Sequence, residues 1–142
     1  MVGKRLSFII FVLLLLVITQ CGAYSEKQWQ MKLLAVQEKG NQTYQGSIAD
    51  LYLELKPGSG RVFLETFPLT KMDTQISTRF AKEISCNYFN LDCEEYDFIY
   101  TIKSNSNIIG GPSAGAAISA LTTIAILDLK YDPKITITGT IN

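Results

Sequence analysis

The chain has 142 residues, enough for one compact domain and short for two. Its 13 basic and 13 acidic residues cancel, which leaves no basic footprint for nucleic acid and no acidic tail. Histidine is absent and no Cys-x-x-Cys pair occurs, so His-based triads, His general bases and the usual zinc sites are excluded, and neither metal nor cofactor is expected.

The N-terminus carries the clearest compositional signal. Lys4-Arg5 precedes an almost unbroken apolar run from Leu6 to Thr19, and Cys21-Gly22-Ala23 supplies small residues after it. The run is about 14 residues, short of the roughly 18 to 20 that span a bilayer comfortably. Residues 1–23 therefore read as a cleaved signal peptide or a retained membrane anchor, and both readings stay open. In either case Lys4 and Arg5 stay cytoplasmic and the domain lies on the extracytoplasmic side, membrane-associated or secreted. A lipid anchor on Cys21 is disfavoured because Gln20, not a small residue, precedes it.

Residues 24–30 read as a polar linker carrying Trp29, and 31–142 as the folded domain. Met31 to Lys39 is a strand, and Lys39-Gly40-Asn41 a turn. Asn41-Gln42-Thr43 fits a glycosylation sequon at Asn41. Gly46 to Lys56 alternates through Ile48, Leu51, Leu53 and Leu55 as a second strand. Pro57-Gly58-Ser59-Gly60 is a turn, and Arg61 to Thr66 returns as a strand, so an antiparallel hairpin or meander is expected. Asp73 suits the cap of a helix from Thr74 to Ser85, with Ile76, Phe80, Ala81 and Ile84 as its apolar stripe. Cys86 and Cys93 have six residues between them and, in an oxidising compartment, could close a short loop; two unpaired buried thiols are the alternative. Phe98 to Lys103 alternates as a strand, and Ser104 to Gly111 reads as a polar loop. Pro112 suits the first turn of a helix running from about Ser113 to Leu129, apolar nearly all round and therefore buried. Tyr131-Asp132-Pro133 stops it, and Lys134 to Ile141 alternates as a last strand. The class is α+β, a curved mixed or antiparallel sheet with two helices.

Gly110 to Ala117 reads Gly-Gly-Pro-Ser-Ala-Gly-Ala-Ala, and three chemistries compete for it. A phosphate-binding loop fails because Ala116 and Ala117 stand where Lys and Ser/Thr are needed. A nucleophile elbow of the Gly-x-Ser-x-Gly kind fails for want of histidine. A serine activated by a desolvated lysine needs none. Ser113 at the first turn of a buried helix suits that chemistry, since unpaired N–H groups and the helix dipole favour an oxyanion there. The plain alternative is a serine that only starts a core helix.

The segment from Ile102-Lys103 through Asn107-Ile108-Ile109 to Gly110-Gly111-Pro112-Ser113-Ala114-Gly115-Ala116-Ala117 resembles the active-site segment of the Lon (S16) peptidases. It is most similar to the ATPase-free, membrane-associated Lon-like proteases of archaea. Pro57-Gly58-Ser59-Gly60-Arg61-Val62-Phe63, Asp73-Thr74-Gln75 and Thr138-Gly139-Thr140-Ile141-Asn142 resemble further segments of that group, so the likeness covers roughly residues 45–142. It implies a fold of the ribosomal protein S5 domain 2 type, here incomplete at its C-terminus. It implies a serine endopeptidase with a Ser-Lys dyad, without ATP or another cofactor. Ser113 carries over as nucleophile, the backbone of Ser113 and Ala114 as the oxyanion donors, and Gly110-Gly111 as the substrate loop. The chain departs from the pattern in having Gly110 where many Lon enzymes have an acidic residue.

The lysine that the resemblance implies follows a Gly-Gly segment beyond Asn142. Within the chain, Lys103 is a weak substitute, ten residues before Ser113 at a strand end. Lys130 and Lys134 lie past a helix whose length, roughly 25 Å, separates them from its start. The expectation is an exported or membrane-anchored Lon-like serine endopeptidase whose lysine-bearing segment is separate, nearly inactive alone. Its partners would be a polypeptide substrate, the membrane, a separately encoded C-terminal segment and a further copy in a homo-oligomer, but not nucleic acid. The alternative is a non-catalytic binding or assembly module, or inactive fragment, of the same fold.

Overall fold

In the computed structural model, residues 27–39 and 43–141 are described. The expectations for residues 1–23, for Cys21 and for the Asn41 sequon lie outside them. Among the described residues no helix is long and apolar enough to cross a membrane.

The elements are β1 (Gln28–Lys39), β2 (Thr43–Pro57), β3 (Val62–Thr70), α1 (Met72–Tyr88), β4 (Tyr96–Ile109), a 3-10 turn (Pro112–Ala114) and α2 (Gly115–Ile126). The four strands form one mixed sheet in the order β1-β2-β4-β3. β1 and β2 pair antiparallel, β2 and β4 antiparallel, β3 and β4 parallel. The α+β class with a mixed sheet and two helices thus holds.

Period-two alternation sends one set of side chains to the helices and the other to the open face. Met31 and Leu33 of β1, Leu51 and Leu53 of β2, and Phe98, Tyr100 and Ile102 of β4 are buried together with Ala81 of α1 and Ile118 and Leu121 of α2. Each such Leu, Ile or Phe contributes about 1.5–3 kcal/mol by leaving water. The polar tip of Tyr100 in this core is satisfied: Tyr100 Oη and Thr122 Oγ1 lie 2.7 Å apart, and Thr122 Oγ1 donates onward to the Ile118 carbonyl. Burial pushes the Tyr100 hydroxyl pKa above its ordinary value. The open face carries cross-strand polar pairs, Lys32 with Asp50, Gln28 with Glu54 and Thr101 with Glu65.

Several expectations are corrected. The expected linker 24–30 overlaps β1, which begins at Gln28, because Trp29 continues the inward alternation and is buried in the core. Strands β2 and β3 do not form a hairpin. β4, which comes later in the chain, inserts between them, so Pro57-Gly58-Ser59-Gly60 joins two strands that are not neighbours. The segment 104–109 is no loop but the end of β4, whose pairing with β3 resumes at Leu69–Ile108 after a register shift beside Pro68, a residue with no N–H to give. The last alternating segment forms only an isolated parallel bridge, Thr136 to Lys32.

Helix α1 departs most from the expected pattern. Ile76 and Phe80 are 60% and 47% exposed, while Thr74, Ser77, Thr78, Lys82 and Ser85 are buried. Its polar face is the inner one because that face meets polar backbone and a serine of α2: Ser85 Oγ donates to the Ser119 carbonyl at 3.0 Å, and Thr74 and Ser77 bind the loop before α2. Lys82 lies with its ammonium 5.4 Å from the Phe98 ring centre and 3.1 Å from Glu83. Cys86 and Cys93 are joined by a disulfide, which ties the end of α1 to the approach to β4; closing a loop this short contributes about 2–3 kcal/mol.

Asp97 fixes the other side of that approach. It is buried, and its carboxylate accepts Ser59 N–H at 2.9 Å, Arg61 N–H at 3.1 Å and the Arg61 guanidinium at both Nε and Nη2. The Arg61 side chain first, then the backbone donors, hold its pKa down to about 2, against about 3.9 for a free carboxylate. A depressed folded pKa stabilises the fold above the unfolded value and ceases to do so as pH falls through the folded one. The melting temperature should therefore drop between about pH 4 and pH 2. Asp97→Asn should melt lower at neutral pH and show a flatter decline across that window. A wild-type advantage undiminished at the bottom of the window would contradict the assignment.

Candidate active site

Ser113 sits in the 3-10 turn between the end of β4 and the start of α2, and its side chain is exposed. Gly111 enters the turn at φ 99°, a left-handed conformation that costs a residue with Cβ dearly. Pro112 follows at the first helical position, where its missing N–H costs nothing.

The first turns of α1 hold this loop at successive residues. Lys71 N–H donates to the Ile109 carbonyl at 2.8 Å. Gly111 N–H donates to Asp73 Oδ2 at 3.1 Å, Thr74 Oγ1 donates to the Gly111 carbonyl at 3.2 Å, and Ser77 Oγ to the Pro112 carbonyl at 3.0 Å. Asp73 therefore does not cap from outside the helix. It lies in the first turn, accepts its neighbour's N–H at 2.7 Å, and turns its other oxygen to the loop. The C-terminal segment closes the other side: Gly139 N–H donates to the Ser113 carbonyl and Ala116 N–H to the Gly139 carbonyl, both at 2.9 Å.

Two helices thus begin at this loop. α2 starts at Gly115, and α1 brings Thr74 and Ser77 to it, so both positive dipole ends lie beside Ser113. The sequence reading counted only α2. It also named the amides of Ser113 and Ala114 as oxyanion donors. Both lie in the 3-10 turn, whose cap bond runs from the Gly115 N–H to the Pro112 carbonyl.

Ser113 opens onto a cavity of about 230 Å³, walled by Leu33 to Val36 of β1, Thr74, Gly110 and Gly111, Ala114 and Thr138. A second groove of about 590 Å³ lies across Pro112 and is apolar, between Ile76, Phe80 and Ile141. The substrate loop named from the sequence, Gly110-Gly111, borders the first cavity.

Lys103 is excluded as the base. Ile102 points to the helices and is buried, so alternation sends Lys103 to the open face, where its ammonium lies 5.6 Å from the Tyr52 ring centre. The lysine that does approach the loop is Lys71, which sequence reasoning passed over. Its stem lies over Gly110, where an added Cβ would come within 2.7 Å of its Cδ. Only adjacency across β3, α1 and β4 reveals this, and residue spacing carries no signal for it. Lys71 is exposed, and among the described residues no side chain hydrogen-bonds Ser113 Oγ. Nor does any cluster of three or more metal-binding side chains gather there.

Comparison with protein-family models finds no match, and comparison with curated proteins finds none.

Gly115 is a second close approach in the site. A Cβ there would lie 2.8 Å from Ser77 Oγ and 3.3 Å from Ile141 N. Gly115→Ala should cost about 1–3 kcal/mol in urea denaturation, as overpacking does elsewhere. Adding Ser77→Ala should return part of the loss by removing the nearer atom. No recovery in the double variant would place the clash elsewhere.

Proposed function

We propose that this chain is the nucleophile-bearing part of a Lon-like serine endopeptidase with a fold of the ribosomal protein S5 domain 2 type, held at the membrane or exported. The observation that carries the reading is Ser113. It stands on a turn held by hydrogen bonds from both sides, at the junction of two helix N-termini, and faces a cavity. This is the preorganised, positive environment that acyl transfer needs. Export is supported by the apolar run 6–19 after Lys4-Arg5 and agrees with a disulfide in the domain.

The substrate is a polypeptide in extended form. Gln30 turns its N–H and C=O outward from the sheet, where both meet the Tyr131 hydroxyl. Strand alternation then turns Lys32, Leu34 and Val36 the same way. Lys32 meets Thr136, and the next two, Leu34 and Val36, border the cavity of Ser113. A peptide laid along this edge gains backbone hydrogen bonds and passes the serine.

In the reaction Ser113 Oγ attacks the scissile carbonyl, its proton passes to a lysine amine, and the Ser113 N–H with the two helix ends stabilises the oxyanion. The base is a lysine from a segment outside these residues. A second reading, a non-catalytic binding module of the same fold, draws on the absence of any partner for Ser113 Oγ among the described residues.

General-base assistance is worth about 100- to 10,000-fold. The chain alone should therefore hydrolyse unfolded protein very slowly. A downstream lysine-bearing segment, in cis or as a separate polypeptide, should raise the rate by about that factor. Ser113→Ala should then abolish it. Robust Ser113-dependent cleavage by the chain alone would remove the need for the added lysine. No Ser113-dependent cleavage in any form would leave the binding module as the better account.

A further inference from the structure

We propose that the end of the domain opposite Ser113 rests on a lipid bilayer, with Tyr88, Phe89, Leu127 and Leu129 at the membrane interface. The inference rests on the reading of residues 6–19 as a retained anchor, and it adds an orientation and a contact surface to that reading.

The two helices run side by side from the site. Thr74 and Ser77 of α1 meet the loop before α2, and Ser85 meets Ser119. Both helices therefore end at the same end of the sheet. That end is also where the described chain begins. Lys27 pairs with Asp128 just past α2, and Lys27, Trp29, Leu55, Tyr96 and Ala125 line one cavity there. The disulfide brings the last turn of α1 to the same place, since Cys93 lies three residues before β4.

Around this end four large apolar side chains are exposed beside the charged Lys27, Asp92, Glu94, Glu95, Asp128 and Lys130. Tyr88 is 80% exposed, Phe89 50%, and Leu127 and Leu129 47% each. Two aromatics and two leucines, one pair at the end of each helix, have the composition of an interfacial belt. The apolar run stops at Thr19 and β1 starts at Gln28, so residues 20–27 form the connection. Eight residues reach at most about 29 Å, and they leave the domain from this end. The belt and the tether thus share one side of the molecule. Ser113 lies roughly the length of α1, about 25 Å, above it, facing away from the bilayer.

Two surfaces compete: the outer stripe of α1 with Met72 and Ile76, which runs up the side of the domain towards the Ser113 loop, and the open sheet face, where Phe67 and Leu69 are 75% and 77% exposed. Laying that face on lipid would also bring Lys32, Asp50, Glu65 and Lys103 against it, and removing such charges from water is costly. At the helix ends the charged group between the two leucines is Asp128, already paired to Lys27. The acidic residues Asp92, Glu94 and Glu95 on the same approach disfavour an anionic surface, so neutral lipid is the matching partner.

The test uses the full chain reconstituted in phosphatidylcholine vesicles. A photocrosslinking phenylalanine replaces Phe89, Leu127, Phe67 or Met72, one at a time. The native chain, whose one tryptophan is Trp29, is examined in parallel with brominated phosphatidylcholine as quencher. Lipid adducts several-fold stronger from positions 89 and 127 than from 67 and 72, together with quenching of Trp29, are the expected result. Adducts mainly from position 67, or equal at all four, in a chain that sediments with the vesicles would overturn the orientation while leaving the anchor. Recovery of the chain in the supernatant would overturn both. Neither outcome touches the peptidase reading, which stands or falls on Ser113-dependent cleavage.

Discussion

Strand β4 is the element on which the rest of the structure depends. It pairs with β2 on one side and β3 on the other, although both precede it in the chain. Its inward residues Phe98, Tyr100 and Ile102 are wholly buried and meet both helices' layer. Its start is fixed by Asp97 to the turn at Ser59 and Arg61. Its end delivers Gly110 and Gly111 to the site. Because β3 and β4 run parallel, the chain must cross back between them, and α1 is that crossover. The same requirement sets α1 down with its first turn beside the end of β4. The contacts from Lys71, Asp73, Thr74 and Ser77 to the loop follow from the topology, with no separate element needed to hold it.

This explains why strand content was legible and sheet order was not. The alternation of Ile48, Leu51, Leu53 and Leu55, or of Phe98, Tyr100 and Ile102, is a local property that any half-buried strand must show. Which strand lies beside which is decided by pairing energies over long separations. A turn signal such as Pro57-Gly58-Ser59-Gly60 marks a change of direction without saying that the flanking strands bond. Here its backbone hydrogen bonds go to Glu95 and Tyr96 at the start of β4. Residues 104–109 were misread for a related reason. Ser104, Asn105, Ser106 and Asn107 look like loop, but Ser104 pairs with Ala49 of β2, and Ile108 and Ile109 pair with Leu69 and Thr70 of β3, so the strand continues through the polar stretch.

The helix α1 shows the limit of amphipathic reasoning more sharply. The pattern Ile76, Phe80, Ile84 is a good apolar stripe, and hydrophobic burial normally decides which side turns inward. In α1 the inward surface is the exposed backbone of the Gly111–Pro112 loop and the Ser119 region of α2. Unsatisfied carbonyls there would cost about 1–3 kcal/mol each. Thr74 and Ser77 supply donors to the loop carbonyls and Ser85 lies against Ser119 of α2, while Ile76 and Phe80 stay on the outer side. The polar residues of α1 were visible in the sequence. Their role was not, because the groups they satisfy lie some 35 residues away.

Ser113 stands out as a candidate in the sequence because its signal is compressed into eight residues from Gly110 to Ala117. Its supports were not legible, since they come from α1 and from Gly139. The distinction bears on what the site can do. Oxyanion stabilisation is built from backbone and helix ends, and those are fixed by the fold itself. A base must be a side chain with a shifted proton affinity, and a lysine acquires that only when taken out of water. Lys71 has the right neighbourhood but keeps an exposed side chain, and Lys103 is on the wrong face. A lysine acting on Ser113 must enter a space dry enough to disfavour its charge. Of the two hollows beside the turn, the groove at Ile76, Phe80, Pro112 and Ile141 is the more apolar, with Asp73 on its border, and the cavity that Ser113 itself lines is the other. The outward stripe of α1, Ile76 and Phe80, is thus one wall of that groove.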